Sequence, residues 1–487
     1  MAQASPYDAV LYPTRAFSQT HPDRLATLAA LFGIDAQPPA ACNVLELGCG
    51  DGGNLLPMAV ALPGSTFVGI DTSRRAIERA QATTASLGLT NISFREVSIE
   101  DYDVPAGSVD YVIAHGVLSW VPEYVRKRLL ALCASALSAD GVAYVSYNAL
   151  PGGHPRRALR EMLAYHVGAI EQPEQRMVAA RGFLRMLGAA AEADDDLAKA
   201  LGPEARKLAE HVDGLFFHDT LAEVNNPLYF HEFVAEAGAH GLQYLTEAEF
   251  SETQLDALPE QLQEALLAIP DPLRREQYLD FLKERMFRQT LLVHDTITLD
   301  RRPQPSRLAQ LAVSAPLRWG VSEKTERTTF TGPGGTHLTT EHPLVIAVLQ
   351  KIGAAWPAAP RVADLAASEA QLPSVCAALL RCFAANLVRL HVHPPQVGSV
   401  ASPKPRVSAL ARLEAAQGEL LTTARHSGFR LEDDLSRRLV ALLDGTRDRD
   451  SLLDALQADA AVSRAPLAEA LERSLERLDR AGMLLPG

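Results

Sequence analysis

Residues Val44 to Asn54, Val-Leu-Glu-Leu-Gly-Cys-Gly-Asp-Gly-Gly-Asn, constrain this chain more than any other stretch. They read as an apolar strand that runs into a glycine-rich turn and then into a helix. Gly48, Gly50 and Gly53 keep the G-x-G-x-x-G spacing. That spacing alone is a weak sign of a nucleotide site. Two acidic residues sharpen it. Glu46 stands two residues before the first glycine, where nicotinamide-binding loops usually carry an apolar residue. A second apolar run, Thr66 to Ile70, ends in Asp71, 18 residues after Gly53. In dinucleotide folds the acidic residue after the second strand binds the ribose hydroxyls.

An acidic residue beside the glycines suits a ligand that has no phosphate and carries positive charge. S-adenosylmethionine carries a sulfonium and an ammonium. The stretch therefore reads as a methyl-donor site.

The chain around it alternates strand and helix. Strands are expected near 43–47, 66–70, 92–97, 109–114 and 142–147, with helices near 53–62, 73–87 and 122–137. Such alternation argues for an α/β fold with a doubly wound, Rossmann-like parallel sheet. Right-handed crossovers put the strand C-ends on one edge, and ligands bind outside that edge. The candidates there are Gly48 to Gly53, Asp71, Ser98 to Glu100, His115 to Trp120 and Tyr147 to Gly153. Ahead of the first strand, His21 to Phe32 reads as a helix ending at Gly33. The segment Tyr7 to Gly33 either covers a bound ligand or simply packs.

Beyond Tyr147 the pattern turns helical. Helices are expected at 156–170, 173–191 and 203–210, with a solvated acidic break at Ala193 to Asp196. Phe230 to Leu245 reads as helix, glycine, strand, and 290–297 as a further strand. Together they can supply the last antiparallel pair of a seven-stranded sheet. Residues 154–227 and 251–286 are then insertions that build a cap. The alternative is a separate helical domain at 215–300. Arg301 to Ser306 is a Pro- and Arg-rich break. After it come two similar units, 307–396 and 406–487, each with three helices closed by a short strand at Leu387 to His393 or Met483 to Leu485. Both are expected to be winged-helix-like. From Arg430 to Gly487 there are nine Arg and twelve Asp or Glu, a net charge of −3. Phosphate contacts need Lys and Arg, so these units are expected to contact protein, as in a homodimer, and not DNA.

Bulk properties set outer bounds. At about 100–200 residues per domain, 487 residues allow two to four domains. The net charge of −13 gives no basic footprint for nucleic acid. Five cysteines at irregular spacing, with no C-x-x-C pair, indicate neither a zinc site nor a disulfide framework. No metal is expected, and a reducing, cytoplasmic setting is the simplest reading. Met1 to Val10 lacks the regions of a signal peptide, and no run of about 18 apolar residues suggests a membrane span.

Glu46 to Asn54 followed by Asp71 resembles the cofactor motif of class I S-adenosylmethionine-dependent methyltransferases. Narrower stretches also match: Tyr12 with Gln19 to Pro22, His115 to Pro122, Ser146 to Gly152, and Phe217 to Asp219 through Pro227 to Phe230. These resemble bacterial methyltransferases with a methyltransferase regulatory domain, a group that includes the rickettsial protein-lysine methyltransferases. The resemblance covers residues 1–300. It implies a class I methyltransferase domain at 1–300, with its core at 34–153 and a helical cap or regulatory region at 154–300. It also implies an enzyme that turns S-adenosylmethionine into S-adenosylhomocysteine and methylates lysine in a protein substrate. A small-molecule methyltransferase and a non-catalytic cofactor-binding module are the alternatives.

Methyl transfer holds nucleophile, methyl and sulfur in line. A lysine must first lose its proton, and an aromatic, dry channel favours that loss. The expected roles follow. The backbone of Gly48, Gly50 and Gly52 approaches the methionine part. Glu46 meets the ammonium and Asn54 the carboxylate, while Asp71 takes both ribose hydroxyls. Ser98 and Ile99 flank the adenine, with Ile99 as an apolar wall. Tyr12, His115 and Tyr147 are the catalytic candidates, and His115 also nears the cofactor. Tyr12, Trp120, Tyr147 and Asn148 are candidates to hold the substrate. His218-Asp219 has the look of a dyad, but capping of a helix by Asp219 is the simpler expectation.

Overall fold

A computed structural model describes residues 12–190, 196–322, 326–457 and 463–487. The N-terminal residues 1–11 and most of the expected acidic break, 193–195, lie outside the described residues.

Seven strands form one sheet: β1 (Asn43–Leu47), β2 (Thr66–Asp71), β3 (Ile92–Glu96), β4 (Val109–Ala114), β5 (Leu137–Asn148), β6 (Leu242–Glu247) and β7 (Phe287–His294). Their spatial order is β3-β2-β1-β4-β5-β7-β6. The first five run parallel, and β7 is antiparallel to both β5 and β6. The last antiparallel pair therefore comes from the two segments expected to supply it. The direction of strand order reverses between β1 and β4. Glu46, on β1, pairs with Gly69 on one side and Ile113 on the other. It thus sits in the crevice where open α/β sheets bind ligands.

Local chemistry explains the helices. Ser73 caps Arg74–Leu87 by accepting a hydrogen bond from the Ala76 amide, and Gly88, at φ 63°, ends it; a left-handed residue there favours glycine. The insertion expected at 251–286 carries two helices, Glu260–Leu267 and Pro272–Lys283. Pro270 and Pro272 separate them, because proline removes a backbone donor and clashes with the preceding turn. The helix expected from Pro203 begins earlier, at Asp196, with Pro203 inside it.

Each face of the sheet buries its own core. One face carries Val44, Tyr111, Ile113, Tyr144 and Leu291 against the helix Pro22–Leu31. Leu25, Leu28 and Leu31 of that helix are fully buried, worth about 1.5–3 kcal/mol each. The other face carries Leu45, Val112, Val145 and Tyr147 against the helices Glu123–Ala136 and Phe230–Gly238. The cap has a separate core built from Leu159, Leu163, Leu184, Leu208 and Phe216.

Residues 307–396 share a core with the sheet. The cluster around Leu25 and Tyr111 continues without a break into Leu308, Val313, Leu349 and Leu379. This unit also holds a three-stranded meander, Arg318–Val321, Thr328–Thr331 and His337–Thr340, beside its helices. The closing strand is shorter than expected, Arg389–His391, and pairs with Ala312–Ser314. The last unit has its own core, Leu439, Leu452, Leu467, Leu471 and Leu475 among others, with a hairpin of Leu420–Thr422 and Gly428–Arg430. Met483 to Leu485 forms no strand; its backbone instead bonds to Gly398 and Arg406. Among the described residues, no helix is long and apolar enough to cross a membrane.

Candidate functional site

The glycine turn closes over the C-end of β1. The amides of Gly48 and Cys49 donate to the Ile70 carbonyl at 2.9 and 3.0 Å, which ties the turn to β2. Gly48 and Gly50 have φ values of 73° and 54°, a region that side-chain-bearing residues rarely adopt. Space is also short. A Cβ on Gly48 would lie 2.6 Å from Val117 Cγ2, and one on Gly50 would lie 2.5 Å from Thr14 Cγ2. Gly52 completes the turn, its amide donating to the Cys49 carbonyl at 3.0 Å.

Asp71 faces this turn. Its Oδ2 accepts from the Gly50 amide and its Oδ1 from the Ser73 amide, both at 2.8 Å. The residue is half-buried, so a ligand can reach its carboxylate. Glu46 is different. It is 3% exposed. Asn54 Nδ2 donates to its Oε1 at 2.7 Å, but its Oε2 has no partner among the described residues. Burial pushes its pKa from 4.5 up to about 8, opposed by the Asn54 hydrogen bond and aided by the nearby Asp71. A buried carboxylate without a cation is costly, so an ammonium placed here would be strongly favoured.

The segment 12–20 straps over the turn. Thr14 Oγ1 donates to Asp51 and accepts from the Gly53 amide. The Phe17 amide donates to Asn54 Oδ1 at 3.0 Å, as does Thr20 Oγ1 at 3.2 Å. His426, from the last unit of the chain, bonds the same oxygen at 2.9 Å. This corrects the expectation for Asn54. Both ends of its amide are spent on protein groups, so it fixes Glu46 and the strap and does not reach for a ligand carboxylate.

His115 ends β4 beside this strap. Its ring lies 4.0 Å from that of Phe17, and its Nδ1 is 2.9 Å from the Tyr144 hydroxyl. Tyr144 in turn donates to Gln289 Oε1 at 3.0 Å. Burial, with Arg15 adding repulsion, pushes the His115 pKa down to about 4, so the ring is neutral near pH 7. Ser146 Oγ accepts from the Gly116 amide at 2.8 Å. Tyr144 and Ser146 thus share the His115 side of β5. Tyr147 points the other way. It is 1% exposed, stacks on Phe233 at 4.3 Å, and its hydroxyl has no partner among the described residues. Strand alternation puts Tyr147 in the opposite core, which corrects its expected role as a catalytic group and substrate wall.

The cap contributes a second cluster. Tyr12 Oη donates to Asp219 Oδ2 at 3.5 Å, and its ring is 5.9 Å from that of His218. Arg160 bonds the carbonyls of Asp219 and Ala222 and lies 5.4 Å from the Trp120 ring. Tyr12 and Trp120 therefore meet the cap at neighbouring points. Asp219 caps no helix; it sits inside the five-residue π-helical turn Phe216–Thr220. Burial pushes its pKa up to about 6. Asn148 joins sheet to cap, with Nδ2 donating to Asn225 Oδ1 at 3.1 Å and its backbone amide donating to Ser119 Oγ at 2.8 Å. Ser98 accepts from the Asp101 amide and donates to its carboxylate, while Ile99 is buried among the Leu45 and Tyr102 side chains.

Comparison with known proteins fits this geometry. Residues 44–141 match a family described as a methyltransferase domain, 213–294 a predicted methyltransferase regulatory domain, and 403–482 a winged helix domain at the C-terminus of PKMT proteins. An uncharacterised Rickettsia prowazekii protein, RP028, is 33% identical over 232 residues, which cover 47% of this chain and 93% of that one. The chain belongs to the class I methyltransferases that carry this regulatory domain. A second Rickettsia prowazekii protein, the uncharacterised RP789, is 42% identical over 302 residues, 62% of this chain. The match spans little more than half of that relative, 55%. The solved structure of PKMT2 from Rickettsia typhi in complex with AdoHcy superposes with a TM-score of 0.86 at 26% identity, over 97% of this chain and 99% of that one.

Four groups that touch the turn, Asn54 or His115 escaped sequence reasoning: Thr14, Phe17, Tyr144 and His426. Only Tyr144 left a signal, because it shares strand parity with Ser146.

Proposed function

We propose that the chain transfers the methyl group of S-adenosylmethionine to lysine side chains of a protein. One observation carries the cofactor half of this reading. A buried carboxylate, Glu46, keeps an unpartnered oxygen beside a turn that leaves no room for Cβ atoms. That pairing suits a cationic amino-acid ligand and disfavours a pyrophosphate. In this reading Glu46 takes the ammonium, Asp71 the ribose hydroxyls, and Gly48, Gly50 and Gly52 the close backbone approach. Ser98 and Ile99 remain the adenine candidates. When bound, S-adenosylmethionine supplies an electrophilic methyl whose sulfur leaves as a thioether.

The rest falls to the chain's own residues. Neutral His115, held by Tyr144, and the rings of Phe17 and Tyr12 form a low-polarity entry that favours an uncharged amine. Asp219, raised towards neutrality and bonded to Tyr12, can accept the proton that lysine sheds. Trp120 and Asn148 line the way in from the cap. The protein acceptor rests on the likeness to PKMT2 along nearly the whole chain. We place the enzyme in the cytoplasm, where its five buried free cysteines stay reduced. We also infer that residues 406–487 contact protein, either the substrate or a second copy in a homodimer.

The test is a labelling experiment. The purified protein is incubated with methyl-labelled S-adenosylmethionine and a lysate, and digested proteins are searched for labelled methyl-lysine. Label on lysine is expected. Label only on extractable small molecules, or protein label that survives prior acetylation of lysines, would contradict the proposal.

A further inference from the structure

A cavity of about 440 Å3 lies behind the strap, lined by its residues Ser18 and Gln19. Its walls come from three parts of the chain: His21, Arg24, Pro57 and Pro63 from the methyltransferase region, Arg389, His391 and His393 from the middle unit, and Arg406 and Thr422 to His426 from the last unit. Neither Glu46, Asp71 nor any residue of the glycine turn lines it. Its size falls in the range of small-molecule sites, about 300–1,000 Å3.

The charge on its walls is unbalanced. The two carboxylates present are already satisfied. Asp23 accepts from His391 Nδ1 and from the His393 amide, both at 2.7 Å, and Glu249 is paired with Arg24 at 3.7 Å. The remaining guanidiniums have no carboxylate partner among the described residues. Arg425 donates to the Pro357 carbonyl and to Ser314 Oγ and lies 4.3 Å from the Trp356 ring. Among the described residues, the Arg406 side chain donates to the Pro486 carbonyl alone. Arg389 is exposed, and among the described residues its side chain makes no hydrogen bond or ion pair. Arg389 also raises the electrostatic cost of both Arg24 and Arg425, which Asp23 partly offsets. Like charges gathered around an apolar-floored hollow are unfavourable unless an anion joins them.

Other uses of this cavity fail on geometry. His21, His391, His393 and His426 make no metal site, because no group of three ligating side chains among the described residues could hold an ion. Ser314, His391 and Asp23 form a hydrogen-bonded chain of 2.8 and 2.7 Å. Ser314 is fully buried and absent from the cavity wall, so it cannot serve as a nucleophile.

We propose that this cavity binds a small phosphate-bearing molecule through Arg389, Arg406 and Arg425. Guanidinium forks match phosphoryl oxygens two at a time, and three of them call for more than one negative charge. The position suggests what binding would do. His426 in the wall bonds Asn54, and Asn54 holds Glu46. An anion here would settle the last unit onto the strap and the methyl-donor seat.

The probes are inorganic pyrophosphate and ADP, titrated calorimetrically into the full chain at fixed ionic strength. Saturable binding of either one is expected, at one site per chain and unaffected by saturating S-adenosylhomocysteine in stoichiometry. Arg389→Glu should weaken it about ten- to hundredfold, as loss of a charge-assisted contact does. The ligand-free melting temperature of that variant should not fall below that of the native chain, since the Arg389 side chain holds nothing in place and its charge repels Arg24 and Arg425. No binding of either probe, competition with S-adenosylhomocysteine for the same site, or equal binding by Arg389→Glu would each overturn the proposal.

Discussion

Glu46→Gln is expected to bind S-adenosylhomocysteine about ten- to hundredfold more weakly than the native chain, and yet to be the more stable protein at alkaline pH. The first effect is the loss of a charged partner for the ligand ammonium, about 1.5–3 kcal/mol. The second follows from proton linkage. The Glu46 carboxyl is held near 8 in the folded chain against 4.5 unfolded. Below pH 4.5 both states carry the proton and nothing is gained or lost. Between 4.5 and 8 the folded state holds a proton that the unfolded state has released, so stability falls as pH rises. Above 8 the buried charge is fully present, at a cost on the order of 5 kcal/mol. Other raised carboxyls, such as Asp219, bend the native curve the same way. The difference between native and Glu46→Gln melting curves, taken from pH 5 to 9, isolates this residue. A gap that stays flat across that range would refute it.

Arg288→Met is expected to cost about 3–5 kcal/mol of stability, the usual result of removing one partner from a buried ion pair. Arg288 is 1% exposed at the start of β7. It donates to Asp280 through Nε and Nη2, both at 2.8 Å, to Glu247 at 2.6 Å and to Glu276 at 3.1 Å. Its guanidinium also lies 3.9 Å from the Phe230 ring. These contacts lock the helix Pro272–Lys283 and the strand β6 onto β7. Without the cation, Glu247 is left buried with uncompensated charge, and Asp280 keeps only Arg285, at 2.9 Å. Adding Glu247→Gln and Asp280→Asn to the variant should therefore recover part of the loss. Denaturation midpoints of the single and triple variants check this. An Arg288→Met chain as stable as the native one would show that the network carries no net weight.

Some of this architecture was legible because its constraints are local. Gly48 and Gly50 occupy backbone conformations that favour glycine, and Asp71 ends the next strand, so a few adjacent positions announce the turn. The final strand pair was legible from Gly241, at φ 78°, between an amphipathic helix and an apolar strand. The rest depends on distant contacts or on weak periodicity. From Val142 to Tyr147 the strand is buried on both faces, so apolar alternation vanishes and does not mark which face Tyr147 takes. Asn54 looked free because its partners, Phe17, Thr20 and His426, lie 34 to 372 positions away. The meander of 318–340 is built from four-residue strands rich in threonine, too short to show a period. The unit 307–396 read as separate because nothing in its sequence reveals the core it shares with the sheet.

The most direct test of the central claim, that the glycine turn with Glu46 and Asp71 seats a methyl donor, is a calorimetric titration of S-adenosylhomocysteine into the native chain and Asp71→Ala. The account predicts saturable binding to one site in the native chain, weakened about a hundredfold or more when two charge-assisted hydrogen bonds are lost. Native protein that fails to bind, or an Asp71→Ala chain that binds as tightly as the native one, would contradict it.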